Sequence, residues 1–576
     1  MNTLIERTIR NFALQNAIRY NGKANPGNVI SKVLGEFSEM AKDKKDMPIL
    51  IERVKLIVNE INGLSVEQQT KELEHHAPEL LEKKIEKKEL RPLHNAVQGK
   101  VIMRFEPSPS GPLHVGHAYA LMLNYAYCKE YSGKLILRLA DTNPENIDSQ
   151  AYDMIPEDFK WLCPDVTHEI HVQSERMETY YLYALRLIEE GHAYVCTCST
   201  ESFAELKLQT EACPCRNLST KENEHRWKKM FDPEGFKEGD AAVRLKTDIR
   251  HKNPAMRDFP LLRINDNPHP RQGKKYRVWP LMNFAVAIDD HEMGMTHVLR
   301  GKDHYDNTQR QKYVFDYFKW SIPEYIHLGR INFAGLRLST SETRLAIEKG
   351  DYAGWDDVRI PFLRALRRRG YQPEAFKKYA LSVGATLVDK TVDAGEFFKS
   401  INSFNKDVID AASWRLFFIR DPVEIKVENA PKQTIELDLH PQHKEGGRMF
   451  QVHDRFFVPP DDYEKISHLP DGTLIRLMDC LNCAVKKESD KTTFVFDGLD
   501  YEKYKQSGKL IIHWLPAEKE LVTVQVLMPD GTTIIGVGEQ KINELEAGAI
   551  VQLERVGFCR LEKREKDTAV FCYGHR

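Results

Sequence analysis

From Val101 to Leu139 the chain reads as strand, loop, helix and strand, and the loop restricts the fold more than any other segment. Val101 to Phe105 is a short apolar run, followed by PSPSGPLHVGH. A helical stretch from about His117 to Tyr131 is stopped by Ser132 and Gly133, and Leu135 to Leu139 (LILRL) is the next strand. That succession opens a doubly wound parallel sheet, whose ligands gather beyond the carboxyl ends of the strands. The helix start presents free backbone N–H groups and a positive dipole end, which suits a phosphate. Gly111 and Gly116 allow close approach of backbone to a ligand. His114 and His117 are three apart, so both imidazoles can face one nucleotide and donate to phosphoryl oxygens as charge develops there. No Gly-Lys-Ser/Thr follows, which excludes a Walker loop.

With 576 residues the chain needs about three to five domains. The first 97 residues read as mostly helical, with Glu79 to Leu90 (ELLEKKIEKKEL) as a solvated helix ended by Pro92. A helix from about Tyr180 to Glu190 stops at Gly191 and leads into HAYVC; the looser rhythm from there to about Asp290 reads as an insertion. The sheet pattern returns at MTHVLRG, Met295 to Gly301, and the chain after Arg344 reads as helical to about Ile419. From Val423, β-branched and aromatic runs alternate with Asp-Gly turns over a length that suits two barrels. The fold class is therefore multidomain α/β plus all-β.

No apolar run approaches the roughly 20 residues that span a bilayer, and the N-terminus lacks a secretory h-region. Ten cysteines in such a chain suggest a reducing compartment, and we expect the cytoplasm. The net charge of −2 does not announce a nucleic-acid partner, although a local basic stripe would suffice for one. Nothing calls for an oligomer. Cys196-x-Cys198 and Cys213-x-Cys215, with fourteen residues between the pairs, have the chemistry of a closed, structural zinc site, the alternative being buried free thiols. Cys480 and Cys483 form a lone pair without such a partner.

HVGH resembles the HIGH signature of class I aminoacyl-tRNA synthetases. RFEPSPSGPLHVGH together with LRLADTNPENID is similar to the glutamyl/glutaminyl subfamily, and DRFFV, IHWL and GFCRLE resemble the barrels of its archaeal-type glutamyl form. The resemblance implies a Rossmann-type core in two halves (98–190 and 291–345) around an inserted acceptor-end-binding domain (191–290). A helical appendage (1–97) precedes it; a helical connector (346–420) and two anticodon-binding β-barrels (421–576) follow. It implies ligation of L-glutamate to tRNA for protein synthesis, with ATP as substrate, Mg and a candidate structural Zn. The partner would be tRNA(Glu), with tRNA(Gln) left open. His114 and His117 become the catalytic pair. Pro107, Gly111, Gly116 and the KMSKS-like RLSTS (Arg337, Leu338, Ser339, Thr340 and Ser341) bind ATP. Arg104, Ser108, Asp141 and Arg300 bind the amino acid, because a guanidinium fork pairs bidentately with a γ-carboxylate. Thr340 replaces the second lysine of that loop, and Arg344, one turn on, could supply its charge. Ala140 and Met282 depart from the family's pocket carboxylate and tyrosine. The arginines of LRALRRRG (Arg364, Arg367, Arg368 and Arg369) are expected along the tRNA phosphates.

Overall fold

A computed structural model describes residues 3–576 apart from 21, 37–45, 78–79, 81–89, 167, 489–490 and 518–519. The chain divides into two compact units, Met1–Lys88 and Glu89–Arg576. Most of the helix expected over 79–90 lies outside the described residues.

The first unit is helical: Thr3–Arg19, Pro26–Glu36, Asp46–Asn62 and Val66–His76. Val54, Val58 and Ile61 recur at helical spacing and are buried with Ile9, Ala13, Leu14, Val33 and Leu73. Ser65 and Gln68 cap the last of these helices reciprocally. Buried Gln69 donates to the Ile61 and Gly22 carbonyls at 2.8 and 3.0 Å, closing the connections of the unit.

In the second unit, residues 90–97 pack with the α/β core. Leu93 is buried there, and the His94 carbonyl is bonded by His297 Nε2 at 2.8 Å. The core sheet uses β1 (Ile102–Phe105), β2 (Lys134–Leu139), β3 (His168–Val172), β4 (His297–Gly301) and β5 (Glu324–Leu328). β1 and β3 both run parallel to β2, and β4 pairs parallel with β5. Thr296 N–H donates to the Ile102 carbonyl at 3.0 Å, bringing β4 beside β1. The spatial order β3-β2-β1-β4-β5 reverses between β1 and β4, which is where an open parallel sheet binds its ligand. The helix Val115–Glu130 follows β1 and is mostly buried.

Between the halves of this sheet lies a four-stranded antiparallel sheet: Ala193–Cys196, Ala242–Leu245, Pro260–Ile264 and Val278–Pro280. The segment after Arg344 is less helical than its composition suggests. Lys390–Asp393 is a strand pairing parallel with Ile331–Ala334, and strands begin at Arg415.

The C-terminal part forms two seven-stranded, barrel-like sheets with separate cores. They are nested rather than consecutive. Arg415–Leu416 and Phe418–Arg420 join the sheet that is completed only by Val522–Leu527 and the strands up to His575; Val423 to Pro516 build the other one in between.

Three of the four arginines of LRALRRRG are hydrogen-bonded within the protein. Arg368 grips Glu562 with two bonds at 2.6 and 3.1 Å, and Arg369 donates to the Tyr573 and Gly574 carbonyls at 3.1 and 2.9 Å. Arg364 pairs with Glu157 at 2.7 Å. These arginines clamp the helix Leu363–Arg368 to its neighbours, since hydrogen bonds from a charged donor to buried carbonyls are among the stronger ones. Among the described residues no helix is long and apolar enough to cross a membrane.

Candidate active site

The helix after β1 starts at His114, its N-cap. Gly116 N–H donates to His114 Nδ1 at 3.1 Å, and His114 N–H donates to His117 Nδ1 at 3.3 Å. Two histidines three apart thus form the reciprocal cap usually made by Ser and Glu. An Nδ1 that accepts from an N–H carries no proton, so each neutral ring holds its proton on Nε2. The rings stack with centroids 3.8 Å apart and 25° between planes. Burial lowers the His117 pKa to about 4; burial and the neighbouring His117 push His114 well below its ordinary value. The pair therefore offers neutral donors near pH 7.

Leu113 N–H donates to the buried carboxylate of Asp158 at 3.1 Å, and the Leu113 carbonyl accepts from Leu363 N–H at 2.9 Å. This holds the loop from behind.

Gly111 and Gly116 serve close approach, but what approaches is protein. A Cβ on Gly111 would lie 3.2 Å from both the Thr340 methyl and the Trp355 ring. One on Gly116 would lie 3.0 Å from the His114 ring and 3.7 Å from Leu338. RLSTS is thus folded onto HVGH. Ser339 caps the helix Thr340–Glu348 through Glu342 N–H, and Thr340 Oγ1 lies 3.3 Å from Ser110 Oγ. Two helix N-termini, each an anion-favouring end, therefore meet at one cleft. Arg337 and Ser341 are exposed there. Arg344, one turn on from Thr340, donates to the Ser110 carbonyl and lies 3.4 Å from Asp148.

Beside this cleft is a charge network that the sequence reading only half contains. Arg104 Nε donates to Asp290 Oδ1 at 3.1 Å. Arg138, fully buried, makes two bonds to Glu106 at 3.0 Å and one to Asp290 at 2.6 Å. Asp289 receives Arg176, Tyr180 and Gln173 at 2.8, 2.7 and 3.0 Å. Arg300 donates to Gln311 at 2.6 Å and lies over the Tyr325 ring, 4.7 Å from its centroid. Burial, with the nearby Arg104 guanidinium, lowers the Arg300 pKa to about 10, so it stays charged near neutrality. Asp290 Oδ2, Arg176 Nη2, Arg300 Nε and the Tyr325 hydroxyl are buried here without partners. Each such group costs about 1–3 kcal/mol, which fits a site shaped to receive polar ligand atoms.

Four of the residues found here, Glu106, Arg138, Asp289 and Asp290, went unnamed as site residues in the sequence. Their only signal was charge inside otherwise apolar strand and helix runs, RFE, LILRL and AVAIDD. Asp141 is placed differently from the expectation: it is sealed, its carboxylate taken by Ser174 N–H and Oγ (both 2.7 Å) and Tyr152 (2.6 Å). Ser108 is exposed at the cleft rim, and Pro107 is buried with its carbonyl accepting from Ala140 N–H at 3.0 Å. Met282 is 41% exposed at the start of the helix Met282–Glu292.

In the antiparallel sheet region, the Sγ atoms of Cys196, Cys198, Cys213 and Cys215 all lie within 4.8 Å of one another. Cys196–Cys213 and Cys198–Cys215 are 3.8 and 3.9 Å apart. Arg226 donates to Cys215 Sγ at 3.4 Å. Cys480 and Cys483 are buried free thiols.

Comparison with known proteins agrees with this arrangement. Residues 100–411 match the family described as tRNA synthetases class I (E and Q), catalytic domain; residues 413–500 and 511–562 match two anti-codon binding domains of the same class. The glutamate–tRNA ligase of Methanocaldococcus jannaschii is 44% identical over 573 residues, 99% of this chain and 100% of the relative. Those of Methanothermobacter thermautotrophicus and Pyrococcus furiosus are each 43% identical over 575 and 588 residues, again covering 99% of this chain and 100% of the relative. With the parallel sheet and the HVGH cap inside the first matched segment and most strands of the barrel-like sheets inside the other two, this chain belongs to the class I tRNA synthetases of the E and Q family.

Proposed function

We propose that the chain is a glutamate–tRNA ligase of the cytoplasm that activates L-glutamate with ATP and passes it to the 3′ end of tRNA(Glu). The observation that carries this reading is the pair Arg104, buried, and Arg300, half-buried, with unpartnered polar atoms around it, next to two neutral histidines at a helix N-terminus. The γ-carboxylate of glutamate meets these guanidinium groups, and Ser108 lines the approach. The α-carboxylate attacks the α-phosphate of ATP, forming glutamyl-adenylate as pyrophosphate leaves. Mg²⁺ enters with ATP as part of that substrate. His114 and His117 donate from Nε2 to phosphoryl oxygens as charge builds on them. Arg337 and the N-terminus of Thr340–Glu348, with Leu338 and Ser339 setting its start, hold the triphosphate against Pro107, Gly111 and Gly116. The terminal adenosine hydroxyl of the tRNA then attacks the acyl carbon, and AMP departs. Asp141 serves the site from behind by fixing the end of β2. By this reading residues 191–290 approach the acceptor end, residues 346–420 connect the core to the C-terminal sheets, and those sheets take the anticodon.

Charging of purified tRNA(Glu) and tRNA(Gln) with labelled glutamate and, separately, labelled glutamine tests the proposal. Glutamate on either tRNA is expected, and the one charged defines how discriminating the enzyme is. Charging with glutamine alone would overturn the role given to Arg300.

The four cysteines fit zinc as a structural ion. A tetrahedron with Zn–S of about 2.3 Å has edges of about 3.8 Å, and two of the edges already have that length. Bound there, zinc would cross-link the two Cys-x-Cys turns and leave no open coordination position. The Arg226 donation to Cys215 supports a thiolate. Purified protein should carry one zinc per chain by mass spectrometry of the metal, and Cys213→Ser should lose it and expose residues 193–264 to proteolysis. Sub-stoichiometric zinc in protein with four titratable thiols would exclude the site.

A further inference from the structure

Glutamate brings to the site two carboxylates and one ammonium, and the guanidinium groups described above address only the carboxylates. The ammonium needs an anion that a ligand can touch. Four carboxylates surround the network, and three of them are closed. The side chains of Asp141, Asp289 and Asp290 are 0% exposed. Asp141 is satisfied by Ser174 and Tyr152, Asp289 by Arg176, Tyr180 and Gln173. Asp290 keeps an unpartnered oxygen, but it is sealed from the cleft.

Glu106 differs in both respects. It continues β1 past Phe105, at the carboxyl end where ligands bind, and its side chain keeps 10% of its surface accessible. A carboxylate has about four lone-pair directions. On Glu106 three are engaged: Oε1 by Arg138 Nε at 3.0 Å and Gln173 at 3.2 Å, Oε2 by Arg138 Nη2 at 3.0 Å. The free direction belongs to Oε2, the oxygen 3.3 Å from Arg104 Nη2. On the neighbouring strand end the partly exposed side chain is that of Ala140, which brings no charge. Any ammonium arriving beside Arg104 therefore finds its counter-charge on Glu106.

Resting on the reading of this site as a glutamate site, we propose that Glu106 binds the α-ammonium of the substrate. Glu106 then takes the α-ammonium while Arg104, beside it, and Arg300 take the γ-carboxylate, and the α-carboxylate is turned toward the histidine pair. The same carboxylate also braces Arg138, so the test must separate binding from bracing. The probe is glutarate, which is glutamate with hydrogen in place of the ammonium. It is compared with glutamate as a competitor in ATP–pyrophosphate exchange by the full chain with tRNA present. The wild type should prefer glutamate by about 10- to 100-fold, the range of a charge-assisted contact. Glu106→Gln should lose most of that preference, with glutarate affinity and the KM for ATP unchanged within about twofold. Glu106→Asp keeps the charge beside Arg138 but withdraws it from the cleft, and serves if the glutamine variant does not fold; it too should lose preference for glutamate selectively. Equal loss for both compounds would reduce Glu106 to a brace and overturn the proposal. Undiminished preference in the variants would place the ammonium elsewhere and overturn it as well, leaving the ligase reading intact. Wild-type protein that recognises neither compound would overturn both.

Discussion

Replacing His117 with alanine should slow glutamate adenylation by about 10²- to 10³-fold while the KM for glutamate changes by less than about threefold. The reason is geometric. His117 Nδ1 is committed to the His114 N–H, so Nε2–H is the donor left for a phosphoryl oxygen, and the ring stands beside its stacked partner at the helix start. A donor aimed at charge that develops only during attack stabilises the transition state and not the bound ground state. His117→Asn, which keeps an N–H donor, should retain more activity than His117→Ala. Single-turnover adenylation, with KM for glutamate and ATP measured separately, decides the matter; equal losses in rate and glutamate affinity would remove the assigned role. The depressed pKa adds a second signature. With the folded value near 4, the activation rate should show no histidine titration between about pH 6 and 8. The unfolded chain takes up its proton near the ordinary 6.5, before the folded ring does. The stability held by keeping this ring neutral is therefore complete above 6.5 and is lost as pH falls from 6.5 toward 4.

Arg138→Met should be the most damaging single change to stability, by about 3–5 kcal/mol. Arg138 is fully buried and hydrogen-bonds Glu106 twice and Asp290 once. Its removal leaves Glu106 and the fully buried Asp290 with Arg104 as their remaining close cation, and deprives Asp289, 3.8 Å away, of a neighbouring charge. An apolar side chain of similar length fills the volume but cannot offset that charge. Arg138→Met with Asp290→Asn should recover part of the loss, because the second change removes one of the stranded charges. Denaturant unfolding of the three variants, followed through near-ultraviolet signals and activity, reads the effect. A loss below about 1 kcal/mol, or no recovery in the double variant, would show that the network is hydrated or rearranged.

The residues that could be assigned to the site by reading along the chain share one property: their chemistry is local. His114 and His117 stand at the start of a helix announced by the strand and loop before it, and the cap they form needs only residues 114 to 117. The four cysteines are recognisable by type and spacing, and their gathering within 4.8 Å agrees with that reading. The expectation of Arg368 and Arg369 on tRNA phosphate, by contrast, rested on their charge and on the place of LRALRRRG in the resemblance. In the fold they meet Glu562 and the carbonyls of Tyr573 and Gly574, nearly two hundred residues away. The nested order of the C-terminal sheets was equally illegible, since alternating strands and turns do not say which strand returns to which sheet.

By itself, then, the sequence determined the parallel α/β core, the histidine-capped helix facing an anion, the all-β C-terminal part and the family. Tertiary structure alone decided how the charges are shared. Arg104 from β1 and Glu106 just past its end, Arg138 from β2, Arg300 from β4 and Asp289 and Asp290 from the helix Met282–Glu292 converge because two parallel registers and one packed helix place them on the same side of the sheet. Asp141, two residues beyond the end of β2, was turned away from the cleft by Ser174 and Tyr152. A side chain's charge is written in the sequence, but its partner is set by register, burial and the packing of segments distant in the chain, and these are settled only when the core closes.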